Sequence, residues 1–282
     1  MKACNQNNCI ILLDAEDLIY FKSIIWGASQ NQIVKDYNLK FLALVTSIFF
    51  SVFCFAGNTV YDESRDRQIP IDISHPTAKE QCSEIQKCPV AFLSSGYGVP
   101  HSKYTFLSKQ LNELGYMVVA IGHELETDPP LSVSGDLYET RSENWSRGAE
   151  TLDFIKHNLE PDYPSYNFND LLLIAHSNGG DISSWLANEG KDYVGTVITI
   201  DHRRVPLPRS EDIGVLSIRG SDYPADEGVL PSQQESAQYG ICVKEIPESR
   251  HNDMTDYGPK WLKDEISRKV ANYLNGFECE KV

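Results

Sequence analysis

Beyond residue 58 the chain alternates between two kinds of hydrophobic pattern. Short, nearly continuous apolar runs occupy residues 89–93, 116–121, 171–175, 193–200, 214–218 and 241–246. Runs this short, rich in Val and Ile, read as strands buried on both faces. Between them apolar residues recur every three or four positions. Residues 105–114 place Phe106, Leu107, Leu111 and Leu114 on one helical side, with Gly115 as the stop. Residues 145–159 place Ala149, Leu152, Ile155 and Leu159 on one face, in a helix that starts near Tyr138 or Glu139 and stops at Glu160-Pro161. Residues 181–187 and 261–274 read as two more helices. Ahead of these, Ile69, Ile71 and Ile73 alternate as in a half-exposed strand. Strands alternating with helices predict an α/β domain: a mostly parallel central sheet with helices on both faces, joined by right-handed crossovers.

One junction carries chemistry. The apolar run Leu171 to Ala175 ends at His176, Ser177 and Asn178, and Gly179 and Gly180 lead into the next helix. An abrupt strand-to-helix turn leaves its central residue exposed on a strained backbone, and a Ser there presents its hydroxyl for attack on a carbonyl. Strand and helix approach closely at such a turn, so small residues are needed two before and two after the Ser. Ala175 and Gly179 fill those places. This nucleophile elbow resembles that of the α/β-hydrolase superfamily, with Ala175 replacing the usual first Gly. The segment around Ile69 to Ile73 resembles, more loosely, the opening strands of secreted relatives of dienelactone hydrolases and platelet-activating-factor acetylhydrolases. The likeness extends from residue 60 to about 275. It implies an α/β-hydrolase fold with a small cap or none, since only residues 201–213 separate two core strands after the elbow helix.

The same resemblance assigns roles to other residues. Ser177 is the nucleophile and His251, on the loop after the last strand, the general base. In this superfamily the acid follows the strand before that one, usually as G-x-x-D. Asp222 lies two residues after Gly220 and Asp226 six after, so neither fits the common spacing. Asp222 is the first choice, ahead of Asp226 and Asp201. The loop Ser95-Gly96-Tyr97-Gly98 stands where one oxyanion donor is supplied, which assigns the backbone N–H of Tyr97 together with that of Asn178. His123, His176 and His202 lie at strand ends and are candidates for the substrate pocket. His123, Glu124 and Asp128 fall within six loop residues, which defines no metal geometry, and no metal or other cofactor is expected. Arg203, Arg204 and Arg209 crowd one loop, where an anion-binding rim competes with ordinary salt bridges to nearby acids.

Charge and cysteine content narrow the setting. Of the 282 residues, 25 are Lys or Arg and 40 are Asp or Glu, a net charge of −15. Residues 1–56 hold four Lys and four acids, so the whole excess lies in residues 57–282. An acidic domain without a basic patch disfavours nucleic acid. Lys40 precedes an apolar stretch at 41–56 that ends in Cys54-Phe55-Ala56. A basic start, a short apolar core and small residues at its end describe a secretory signal peptide, shorter than the roughly 20 residues of a membrane span. The expected organisation is an N-terminal extension with signal peptide over 1–56, residues 1–34 being an over-extended start, and one domain over 57–282. An uncleaved signal anchor is the alternative. Export agrees with four remaining cysteines: Cys82 and Cys88 bracket a polar loop, and Cys242 and Cys279 make a second candidate pair, although sequence does not fix the pairing. The expectation is a secreted or periplasmic serine esterase acting on a small-molecule ester, with no stable membrane association after cleavage; the oligomeric state is left open. An amidase or peptidase with the same residues, and a non-catalytic binding module on the same fold, are the alternatives.

Overall fold

The structure is a computed structural model that describes residues 3–5, 8–10 and 59–282. The expected signal segment at 41–56 lies outside the described residues. The chain divides into two units, Met1–Phe55 and Ala56–Val282. In the first, strands β1 (Ala3–Asn5) and β2 (Asn8–Ile10) pair antiparallel.

The second unit is built on an eight-stranded sheet. Its strands are β3 (Thr59–Asp62), β4 (Arg67–Ser74), β5 (Cys88–Ser94), β6 (Met117–Ile121), β7 (Tyr166–His176), β8 (Val194–Ile200), β9 (Gly214–Arg219) and β10 (Cys242–Glu245). Their spatial order is β10-β9-β8-β7-β5-β6-β4-β3. The two N-terminal strands pair antiparallel, β3 with β4 and β4 with β6, and every other neighbour pair is parallel. The helices are α1 (Thr105–Glu113), α2 (Leu137–Leu159), α3 (Asn178–Asn188), α4 (Gln233–Tyr239) and α5 (Lys260–Leu274).

Side chains of a strand alternate between its two faces, and here each face has its own helical cover. Val90 and Phe92 of β5, with Leu171 and Leu173 of β7, pack with Trp145, Leu152 and Ile155 of α2 and with Ile182 and Leu186 of α3. Ala91 and Leu93, with Leu172 and Ile174, pack with Leu107 and Leu111 of α1 and with Leu262, Ile266 and Val270 of α5. Burial on both sides is why these strands read as continuous apolar runs.

The chain order reverses across β5, which lies between β6 and β7. Ligands of open α/β sheets bind beyond the carboxyl ends of the strands at such a switch point. Ser94, the last residue of β5, is in register with Ala175 of β7. The loop after β5 and the turn after β7 therefore emerge side by side. Residues 201–213 run as loop, so among the described residues no helix or strand is inserted between β8 and β9. Cys82–Cys88 and Cys242–Cys279 are disulfides; the second ties β10 to the segment after α5.

Candidate active site

The turn after β7 is the strained one that its sequence predicts. Ser177 has φ 53°, in the left-handed region that non-glycine residues seldom occupy. The strain persists because the neighbours fix both sides of it. The Ser177 N–H donates to the carbonyl of Ile200, and the Ser177 carbonyl accepts from the N–H groups of Gly180 and Asp181 in the first turn of α3. A Cβ on Gly179 would lie 2.5 Å from the carbonyl oxygen of Ser95 and 2.6 Å from that of Ser94. Only glycine lets α3 approach the loop after β5 this closely.

Strand β8 ends in the same way one step across the sheet. Its last residue, Ile200, is in register with His176 of β7 and with Ile218 of β9. Asp201 then turns with φ 54°, its N–H donating to the carbonyl of Ile218. Two adjacent strands thus present Ser177 and Asp201 at neighbouring turns. His251 lies on the loop after β10 and reaches both. Its Nδ1 is 2.6 Å from Asp201 Oδ2, and its Nε2 is 2.9 Å from Ser177 Oγ. An ionised carboxylate only accepts, so Nδ1 carries the hydrogen and Nε2 is left to accept from the Ser177 hydroxyl. The other oxygen of Asp201 accepts from the Gly220 N–H at 2.8 Å and from Arg219 at 3.0 Å. Burial pushes Asp201 up, but the His251 hydrogen bond, the Arg219 charge and the Gly220 N–H outweigh it and hold the carboxyl below its ordinary range.

The acid assigned from sequence is therefore corrected. Asp222 does not meet the imidazole; its Oδ1 accepts the backbone N–H of His251 at 2.8 Å. Asp226 is bound to Arg204 at 2.5 Å. The carboxylate at the ring, Asp201, comes one strand earlier than the superfamily pattern implies. Its sequence signal was an Asp directly at the end of a buried strand, a residue type tolerant of positive φ.

The three histidines read as pocket candidates are buried, and none of them lines the cleft at Ser177. His176 Nδ1 is 2.9 Å from the Tyr104 hydroxyl and its Nε2 is 3.1 Å from the carbonyl of His251. The carbonyl can only accept, so Nε2 donates, Nδ1 accepts from Tyr104, and the Tyr104 oxygen accepts the Gly96 N–H at 3.0 Å. This chain links the loop after β5 to the loop of His251. His123 Nε2 meets Ser94 Oγ at 2.8 Å, and His202 Nε2 donates to the carbonyl of Val205 at 3.1 Å. Burial pushes all three imidazoles down to about 3, so each is neutral at ordinary pH. Glu124 and Asp128 pair with Arg147 and Arg67.

With the Gly96 N–H engaged by Tyr104, the next N–H, that of Tyr97, has no partner among the described residues, and neither has that of Asn178. The Asn178 side chain is locked from behind: its Oδ1 accepts from Trp145 Nε1 at 2.9 Å and its amide donates to Asn144 at 2.8 Å. The cleft at Ser177 and His251 has a volume of about 290 Å³. Tyr97, Leu131, Val133 and Tyr223 form part of its wall, with Tyr223 stacked on the His251 ring at 4.9 Å. The loop after β6 thus reaches the cleft through Leu131 and Val133, and not through His123. Sequence reading missed Arg141, which also lines the cleft.

No protein-family model and no curated protein sequence matches the chain. Solved structures do. Esterase 2 of Thermogutta terrifontis, in a form phosphonylated by cyclosarin, superposes with a TM-score of 0.56 at 9% identity, over 79% of this chain and 96% of that one. Est1E of Butyrivibrio proteoclasticus gives 0.51 at 14% identity, over 77% and 97%. A putative dienelactone hydrolase of Klebsiella pneumoniae gives 0.53 at 14%, over 78% and 98%. With the sheet order described above, these likenesses establish an α/β-hydrolase fold.

Proposed function

We propose that the protein is a serine hydrolase that cleaves a small carboxylic ester through an acyl-enzyme. The observation that carries this reading is the single contact line Asp201–His251–Ser177, at 2.6 and 2.9 Å, ending on a serine at a strained turn. In the forward step Ser177 Oγ attacks the ester carbonyl while His251 Nε2 takes its proton. Asp201 keeps the ring in the required tautomer and stabilises the imidazolium. The N–H groups of Tyr97 and Asn178 receive the oxyanion, and the loss of one such donor costs about 3 to 4 kcal/mol of barrier. His251 then protonates the departing alkoxide, and water repeats the sequence in reverse to release the acid.

Esterases of the same fold support the ester reading, and one of them accepts a phosphonyl group from cyclosarin. The purified chain incubated with a fluorophosphonate is therefore expected to gain one adduct by intact mass, and Ser177→Ala none. A folded parent that stays unmodified would overturn the reading. Residues 57–282 are proposed to be the exported domain, released after a signal peptide within 41–56. The two disulfides support an oxidising compartment. Among the described residues no helix is long and apolar enough to cross a membrane. N-terminal sequencing of the secreted protein should begin close to residue 57; a start upstream of 41 would contradict cleavage there.

A further inference from the structure

The arginines around the cleft do not behave alike. Arg204 is paired with Asp226 at 2.5 Å and Arg209 with Glu235 at 3.5 Å, as the structural reading of that loop expects. Arg203 and Arg141 have no carboxylate within 4 Å among the described residues. Both line the cleft that holds Ser177. Arg141, from α2, is fixed through its Nε to the carbonyl of Ser132 at 2.8 Å. Arg203 is fixed through its Nε to the carbonyl of Pro224 at 3.2 Å, with its guanidinium 4.2 Å over the Tyr223 ring. In each case the Nε is spent and the terminal nitrogens have no hydrogen-bond partner among the described residues. Burial first, then the charges of Arg204 and Arg203, push the Arg141 guanidinium down, against the opposing charges of Asp181 and Asp226.

A protein of net charge −15 has ample acids to pair these groups, yet the one acid on the cleft wall is already engaged. Asp181 Oδ1 accepts the backbone N–H groups of Arg203, Arg204 and Val205 at 3.3, 2.7 and 2.9 Å. Burial pushes its carboxyl up to about 6, against those hydrogen bonds. A guanidinium held by its Nε still presents a planar edge suited to a carboxylate. At about 290 Å³ the space is at the small end for a ligand pocket.

We propose that the cleft takes short esters that bear a second, ionised carboxylate, and that Arg141 and Arg203 hold that carboxylate while Ser177 attacks the ester. The proposal rests on the serine-hydrolase reading above. It makes the two arginines specificity residues of the same site.

The test compares matched esters on the purified protein: monomethyl glutarate against dimethyl glutarate, and 3-acetoxypropionate against its methyl ester. The two pairs carry the anion on the acyl and the alcohol side of the scissile bond. The expected result is a kcat/KM at least about tenfold higher for the anion in one pair or both, as for a charge-assisted hydrogen bond of ordinary strength. The preference should shrink as salt rises from about 20 to about 500 mM. Arg141→Gln and Arg203→Gln should each lower the anion-to-neutral ratio, and the double variant should bring it near one. An active enzyme that handles the neutral ester as well as or better than the anion in both pairs would overturn the subsite and leave the hydrolase reading standing. If no ester turns over and the fluorophosphonate leaves no adduct, the underlying reading fails instead. Calorimetric titration of monomethyl glutarate then decides the subsite alone: saturable binding weakened in the double variant supports it, and its absence overturns it.

Discussion

At the scale of single residues, the two aspartates near His251 make opposite predictions. Asp201 faces Nδ1 and Asp222 faces the backbone N–H. Asp201→Asn presents an amide to the ring and favours the wrong tautomer, so kcat should fall by about 10⁴. Asp222→Asn keeps an acceptor for the N–H and should cost less than about tenfold. Steady-state rates of the two variants check this directly, and equal losses would refute the assignment. The difference also marks where sequence reading stops. Ser177 is legible because an elbow needs a specific local pattern, and His251 because it follows the last strand. The acid is defined only by which turn lies beside Ser177 in space. That depends on the register of β7 against β8, which no local spacing encodes. His176, His123 and His202 were read as pocket groups because they sit at strand ends, but a strand end also has an inward side.

At the scale of elements, the strands and the longer helices were legible because burial imposes a period on them. Helix α4 was missed, although Ser232 and Glu235 form a reciprocal capping box and Gly240 closes the helix in the left-handed conformation. With no buried residue it has no hydrophobic period to read. The start of α2 at Leu137 likewise follows from Asp136, whose side chain accepts the N–H groups of Tyr138 and Glu139. The elbow itself depends on contact between elements. Gly179→Ala would press a methyl group into two backbone carbonyls and should abolish fluorophosphonate labelling, even in protein that retains its far-ultraviolet dichroism. The Gly96–Tyr104–His176–His251 chain joins two loops whose positions must agree. Tyr104→Phe removes the central hydroxyl and should lower kcat by about tenfold while KM changes little, since the loss falls on groups that act only during reaction. A KM effect alone would argue against that role.

For the whole molecule, the buried histidines set a pH dependence. Each takes a proton in the unfolded chain below about pH 6.5, but in the fold only near 3. Acid therefore favours unfolding through all three. Asp181 runs the other way, because its folded carboxyl, raised to about 6, takes a proton before the unfolded one does. For these four groups the balance of about two protons predicts a stability loss of roughly 3 kcal/mol per pH unit between about pH 5.5 and 4, and Asp201 and Asp128, held below their ordinary range, add to the loss at the acid end. Urea unfolding across that range measures it, and a flat profile would contradict it. The Cys242–Cys279 disulfide spans 37 residues, and a closed loop of that length is worth about 4 kcal/mol at most. Cys279→Ser should approach that loss in the same experiment. The position of Asp201 has one further consequence. With Asp201 on the turn after β8 facing the imidazole, the turn after β9 meets His251 itself through the Asp222 contact and the Tyr223 stack, and meets Asp201 through the Gly220 N–H. Residues 227 and 228 beyond it are exposed, and neither takes part in the hydrogen bonds that join Ser177, His251 and Asp201. That stretch is a natural place for insertion libraries, where this surface can be rewritten while the Asp201–His251–Ser177 contacts are left in place.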